Sequence, residues 1–263
     1  MNYEYICKLV ITAMADAGRF IQAESEKFSK DNIEVKGLHN FVSYVDKGAE
    51  KILVEELSDI LPEAGFIAEE GTKNSNGEQL KWVIDPLDGT TNFIHGVPPY
   101  SISVALMDGD EVVLGVVHEL NLNEVFYAWK GSPAYKDNKE IKVSSVNAVQ
   151  DSLVATGFPY YDFDKMNSYL ESLAYFLQHS HGARRMGSAA VDLAYVACGR
   201  YEAFYEYSLQ PWDVAAGAFI LQQAGGKVCD FKGGNNFIFG KELVATNGLI
   251  HKEFLEVVQK FIK

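Results

Sequence analysis

The stretch WVIDPLDGTTNF, residues 82–93, carries two carboxylates, Asp85 and Asp88, three positions apart where an apolar run stops. Carboxylates forced together near a helix start repel one another, and a divalent cation relieves that repulsion. Carboxylates, backbone carbonyls and water are the ligands magnesium takes. Further acids stand at the ends of other expected elements: Glu69 in FIAEEG, Asp213 in QPWDVAAG and Asp46 in FVSYVDKGAE. Gly89-Thr90 and Gly187-Ser188-Ala189 each put small residues before a helix start, where exposed N–H groups and the helix dipole hold anions. Metal-binding acids and anion pockets together point to phosphoryl chemistry.

Each feature alone has an ordinary structural reading. Asp-Pro and Asp-Gly are turn chemistry, Thr90, Asp46 and Asp213 suit helix N-caps, and GSAAVDLAYVACG suits a close helix contact. Glu206 in YEAFYEY is either the polar face of a strand or a substrate contact. The pair His179 and His181 has no Cys or third His beside it and makes a poor metal site. His95 and His118 read as structural or rim residues. The sequence has no G-x-S-x-G elbow, no P-loop and no G-x-G-x-x-G.

Around these residues the chain is long enough for a sizeable core, with 263 residues of which 48% are apolar. Acidic residues number 36 against 23 basic ones, for a net charge of -13. A field of that sign argues against nucleic-acid and anionic-membrane partners. Three cysteines without CxxC spacing fit reduced thiols, hence a cytoplasmic setting. Glu4 stands where a secretory leader would carry positive charge, so no leader is expected.

Apolar spacing predicts an amphipathic helix in the first thirty residues, through Ile6, Leu9, Val10, Ala13, Met14 and Ala17. A second is predicted over 46–61, ended by Pro62. Strands are predicted at 65–68, 81–85, 101–108, 111–118 and 123–129, the last three as an antiparallel meander. In the second half, strands are expected near 152–156, 182–186, 202–206 and 227–230, with helices near 165–178, 188–198, 212–224 and 251–262. Trp82, Val83 and Ile84 read as a strand covered on both faces, with Pro86 ending it. The pattern predicts an α+β layered fold, one domain over 1–263 with lobes of about 1–148 and 149–263 sharing a core.

At AEEG, WVIDPLDGTTNFIHGVPPYSISVAL, GSAAVDLAYVACG and WDVAAGAFILQQAGG the sequence resembles the inositol monophosphatase family of magnesium-dependent, lithium-sensitive phosphatases. The resemblance covers essentially the whole chain. It implies the layered α-β-α-β-α sandwich of the inositol monophosphatase and fructose-1,6-bisphosphatase type, assembled as a homodimer. It also implies two to three Mg2+ ions per site and a small phosphate monoester as substrate. Carried over residue by residue, Glu69, Asp85 and the Leu87 carbonyl hold a first metal, and Asp85, Asp88 and Asp213 a second. Glu69 helps with a third ion or its water. Asp46 and Thr90 orient and deprotonate the attacking water, and Gly89 and Thr90 amides hold phosphate. Asp88, Gly187, Ser188, Ala189, Glu206 and Asp213 meet the alcohol.

The implied reaction is in-line attack by a metal-activated water on myo-inositol 1-phosphate or a similar polyol phosphate. Fructose-1,6-bisphosphatase, histidinol-phosphatase and adenosine 3′,5′-bisphosphate phosphatase activities are the alternatives. Three departures bear on substrate: Asn40 where many relatives are acidic, Ser43 where Thr is usual, and GFPYYDFDKMNSY, which lacks the serine-containing loop of the animal enzymes. Lys36-Gly37 fits the family's mobile loop.

Overall fold

The structure, a computed structural model, describes residues 1–28, 33–37, 40–73, 77–160 and 162–262, with the backbone alone for 33–37 and 40–43. Helix α1 (Tyr3–Ser25) buries Ile6, Val10, Ala13, Met14, Ala17 and Ile21 on one face. Hairpin β1 (Ile33–Gly37) and β2 (Asn40–Ser43) leads into α2 (Tyr44–Ile60), which buries Val45, Ala49, Leu53 and Leu57. Then follow β3 (Gly65–Ala68), β4 (Leu80–Asp88), the short α3 (Thr90–His95), β5 (Ser101–Asp108), β6 (Glu111–Glu119), β7 (Glu124–Trp129), β8 (Ala134–Lys136) and β9 (Lys139–Ile141). Strands β3 to β9 form one sheet in chain order, parallel between β3 and β4 and antiparallel elsewhere. The meander read from the sequence is its centre.

The rest of the chain adds β10 (Val154–Thr156), α4 (Met166–His179), β11 (Ala183–Arg184), α5 (Ala189–Ala197), β12 (Ala203–Tyr207), α6 (Pro211–Gln223), β13 (Lys227–Cys229), β14 (Glu242–Thr246) and α7 (His251–Phe261). These strands form a second sheet in the order β11-β10-β12-β14-β13. Helices α1 and α2 cover one face of the seven-stranded sheet, and α5 and α6 fill the space between the sheets. Helices α4 and α7 pack together on the outer face of the five-stranded sheet. The layering is therefore α-β-α-β-α. Trp82 and Ile84 pack towards α1 and α2 while Val83 packs towards the middle layer, so the strand is covered on both faces.

Pro86 does not end β4, contrary to the sequence expectation. The strand runs on to Asp88 with a bulge, Asp85 opposite Ser103 and Asp88 opposite Ser101. Residues three apart on a regular strand point to opposite faces. The extra residue cancels that inversion, because the partners Ser103 and Ser101 are two apart and share a face. Both carboxylates therefore emerge on one side. Pro86, which has no N–H to leave unpaired, suits a bulge.

Candidate active site

One cleft collects the expected residues from both halves of the chain. Glu69, Asp85, Leu87, Asp88, Gly89, Thr90, Gly187, Ser188, Ala189, Glu206 and Asp213 all line it. Asp46 stands behind it: buried in the first turn of α2, it accepts a hydrogen bond from Thr90 Oγ1 at 2.9 Å. Neither Asp46 nor Thr90 is an N-cap. Helix α2 begins two residues before Asp46, and α3 is capped by Gly89 in a left-handed conformation, φ 92°. A Cβ at Gly89 would press on the Pro99 and Gly187 carbonyls, so the turn needs glycine on two counts. Asp213 stands at the third position of α6, where its Oδ2 accepts from the Gln210 amide at 2.7 Å in a capping box. The side chains of Asn40 and Ser43, and those of Lys36-Gly37, lie outside the described residues.

Backbone and hydroxyl donors hold the acids in place. Asp85 Oδ1 accepts from the Leu87 amide at 2.9 Å. Asp88 Oδ2 accepts from Ser188 Oγ at 2.6 Å and the Ala190 amide at 2.8 Å, and its carboxylate also meets the Gly89 amide. Thr90 Oγ1 lies 3.0 Å from the Leu87 carbonyl as well as against Asp46. Its single proton serves one acceptor at a time, and the charged carboxylate is the stronger.

Burial, together with the neighbouring charges of Glu69, Asp88 and Asp213, pushes the Asp85 carboxyl well above its ordinary range. Burial first and Asp88 second do the same to Asp213, which is hydrogen-bonded to Asp85. Asp88 is pushed up to about 6 by burial, against the pull of Ser188 and Ala190. Glu206 is pushed up to about 8 by burial, with Arg185 pulling the other way. Among the described residues no three His, Cys, Asp or Glu side chains are grouped closely enough to hold a metal ion as they stand. The donor set nevertheless suits a hard divalent cation. It is all oxygen, and the charge these acids cannot hold unaided is what such an ion neutralises.

Sequence reasoning missed several residues here. Glu50, fully buried one turn after Asp46, accepts from the Glu70 amide through Oε2 and the Thr72 amide through Oε1, each at 2.7 Å. It thereby ties down the segment that carries Glu69. The i, i+4 spacing from Asp46 was its available signal. Arg185 is the only cation among the described residues lining the cleft. Gly157 abuts Glu206 so closely that a Cβ there would overlap the carboxylate. His179, far from acting as a ligand, stacks on Tyr175.

The model of the "Inositol monophosphatase family" matches residues 2–263. The chain is 39% identical over 234 residues to "Fructose-1,6-bisphosphatase/inositol-1-monophosphatase" of Thermotoga maritima, covering 89% of this chain and 88% of that protein. It is 37% identical over 256 residues to "Nus factor SuhB" of Pseudomonas aeruginosa, covering 95% and 94%. The solved inositol monophosphatase of Anabaena superposes with a TM-score of 0.87 at 32% identity, covering 99% of this chain and 98% of that one.

Proposed function

Because the chain belongs to the inositol monophosphatase family, we propose that it is a Mg2+-dependent phosphomonoesterase acting on inositol monophosphate or a similarly small polyol phosphate. The observation that carries this reading is the convergence of Glu69, Asp85, Asp88 and Asp213 on one cleft beside the Gly89-Thr90 turn. Glu69, Asp85 and the Leu87 carbonyl would hold one ion and Asp85, Asp88 and Asp213 another, with Glu69 shared towards a third. With the Thr90 proton on Asp46, the Leu87 carbonyl keeps its lone pairs for an ion. Bound Mg2+ would supply Lewis acidity, lowering the pKa of water and neutralising charge on the phosphoryl and leaving oxygens.

The chain's own groups do the rest. Thr90, its proton committed to Asp46, turns an oxygen lone pair towards the attacking water, and Asp46 receives the proton relayed through it. The Gly89 and Thr90 amides hold the phosphoryl oxygens. Asp88, Glu206, Asp213 and the Gly187 to Ala189 turn meet the alcohol's hydroxyls and fix its approach. Both lobes contribute, so we treat 1–263 as one catalytic domain, a lithium-sensitive homodimer as the resemblance implies, in the cytoplasmic setting that its unpaired cysteines fit. Purified protein should release phosphate from inositol 1-phosphate with added Mg2+ and not in EDTA, and Asp88→Asn should be nearly inactive. Persistent turnover in EDTA would sink this reading.

Two other readings have a specific motive. The Thermotoga relative's name puts fructose 1,6-bisphosphate on the substrate panel, and relative kcat/KM decides the preference. The Nus factor name of the Pseudomonas relative motivates a partner-binding role separate from turnover. That role would show as a partner captured equally by wild type and Asp88→Asn.

A further inference from the structure

Past Thr91 the catalytic cleft opens into a second cleft of about 420 Å³ with a different character. Thr91, Phe158, Pro159 and Tyr160 line both, and Phe163, Met166 and Leu170 complete the outer one. Its walls are almost wholly apolar. Phe158, Phe163 and Leu170 are respectively 36%, 45% and 47% exposed, although most hydrophobic side chains among the described residues are buried. The loop after β10 supplies Phe158, Tyr160 and Phe163, and α4 supplies Met166 and Leu170.

The inner rim of the outer cleft is held rigid. Arg185 Nη2 donates to the Tyr160 hydroxyl at 2.9 Å, and its guanidinium lies 5.9 Å from the ring centroids of both Phe158 and Tyr160. A guanidinium at that distance from two rings pins them electrostatically. A ring fixed before binding loses little freedom when a ligand packs on it. The floor where the two clefts join, Thr91, directly follows the Gly89-Thr90 turn assigned above to the phosphate.

We propose that this apolar shelf receives an aromatic or apolar substituent of the substrate's alcohol, so that the enzyme favours monoesters bearing such a group over equally small polar ones. The proposal rests on the phosphatase reading and adds Phe158, Tyr160, Phe163 and Leu170 as specificity determinants. The occupant is the leaving group because the two clefts share Thr91, Phe158, Pro159 and Tyr160, so a molecule anchored by its phosphate in the inner one extends into the outer one. The volume suits a single ring system.

The test compares 2-phenylethyl phosphate with ethyl phosphate in the Mg2+-loaded enzyme, two monoesters whose leaving alkoxides are of similar basicity. We expect kcat/KM about tenfold higher for the phenylethyl ester, through KM, since burying one ring face adds binding shared by ground and transition states. Phe163→Ser combined with Leu170→Ser, both outside the catalytic cleft, should reduce the preference to about twofold with ethyl phosphate turnover unchanged. On wild type alone, 2-phenylethylphosphonate should inhibit about tenfold more tightly than ethylphosphonate, a readout that needs no variant. Equal kcat/KM for the two esters, or a preference that survives the double substitution, overturns the shelf. So does a double variant that changes only the sedimentation state, which would make the cleft a contact between copies of this chain. Absence of release from these esters and from inositol 1-phosphate alike overturns the phosphatase reading instead.

Discussion

The wall of the cleft built from β4 and α6 carries Asp85, Asp88 and Asp213, whereas the wall built from β12 and the loop after β10 carries Glu206, Phe158 and Tyr160. On the first wall local backbone geometry aims the acids, a bulge for the Asp85 and Asp88 pair and a capping box for Asp213, although Asp88 is also held by Ser188 and Ala190. On the second, placement is made by contacts between distant segments, with Glu206 against Gly157 and Arg185 against Tyr160. The first wall buries its carboxylates, and that burial, with neighbouring acids adding to it at Asp85 and Asp213, raises their pKa values. The second sets one buried acid against one cation and surrounds both with rings. On the proposed reading the first wall would hold the ions and share the alcohol with the second, where Glu206 and the rings are free of any metal role.

The largest expected effect breaks the first wall. Asp85→Asn should lower kcat/KM for inositol 1-phosphate by about 10² to 10⁴, the range for losing one preorganised charge at the reacting centre. The same variant removes the most crowded carboxylate, so its melting temperature in EDTA should equal or exceed that of wild type. Opposite signs for activity and metal-free stability are what a site built for an ion predicts. A fall in both would mean that Asp85 is chiefly structural.

The second wall offers a pH test. Glu206 has its ordinary value of 4.5 raised to about 8 by burial, so the folded chain holds a proton there that the unfolded chain has released. Stability from this group is therefore lost as pH rises from about 4.5 through about 8. Glu206→Gln keeps the shape without the titration. In EDTA it should match wild type near pH 5 and exceed it near pH 8, by on the order of a few kcal/mol. Urea unfolding at the two pH values measures the difference. A gap independent of pH would show that Glu206 does not carry the titration.

A smaller effect is expected one step behind the first wall. Glu50 accepts two backbone amides with two carboxylate oxygens. Gln at this position offers one acceptor and one donor, leaving the second amide facing an N–H group. Glu50→Gln should cost about 1 to 3 kcal/mol in thermal unfolding. Activity should fall roughly tenfold and be partly recovered at higher Mg2+, because the segment carrying Glu69 is loosened rather than deleted. Unchanged Mg2+ dependence would confine Glu50 to folding.

Legibility in the sequence follows the same division. Strands β3 and β5 fall where alternation and turn residues put them, and α1, α2, α4 and α7 lie within a few residues of their expected spans because amphipathic spacing is a local signal. Helices α5 and α6, buried all round, are bounded instead by their flanking glycines and Pro211. The cleft-lining acids were readable because element ends are local too. The bulge was not, since Pro86 looks like a strand end until its partners Ser103 and Ser101 are known. Strand β14 was missed for a similar reason: the five residues ELVAT have no clear alternation and gain their identity by pairing with β12 and β13. Hairpin β8–β9 was missed because its strands are three residues each. Arg185 and Gly157 acquire a role only through residues tens of positions away.

Ser188 backs the first wall from the start of α5, and the smallest prediction concerns it. Its hydroxyl donates to Asp88, accepts from the Val191 amide as the cap of α5, and lies 3.1 Å from Ser101 Oγ. Losing a serine cap costs about 1 kcal/mol. Losing one of the donors on Asp88 removes only part of what holds that carboxylate, because the Ala190 amide still reaches it at 2.8 Å. Ser188→Ala should therefore lower the melting temperature by a few degrees and slow turnover severalfold, well short of the Asp85→Asn loss. Ser188→Thr keeps the hydroxyl and should recover most of the stability, while its added methyl crowds the alcohol side and raises KM. If Ser188→Ala instead matched Asp85→Asn in activity, the carboxylate wall would depend on the helix beside it, and the division between the two walls would fail.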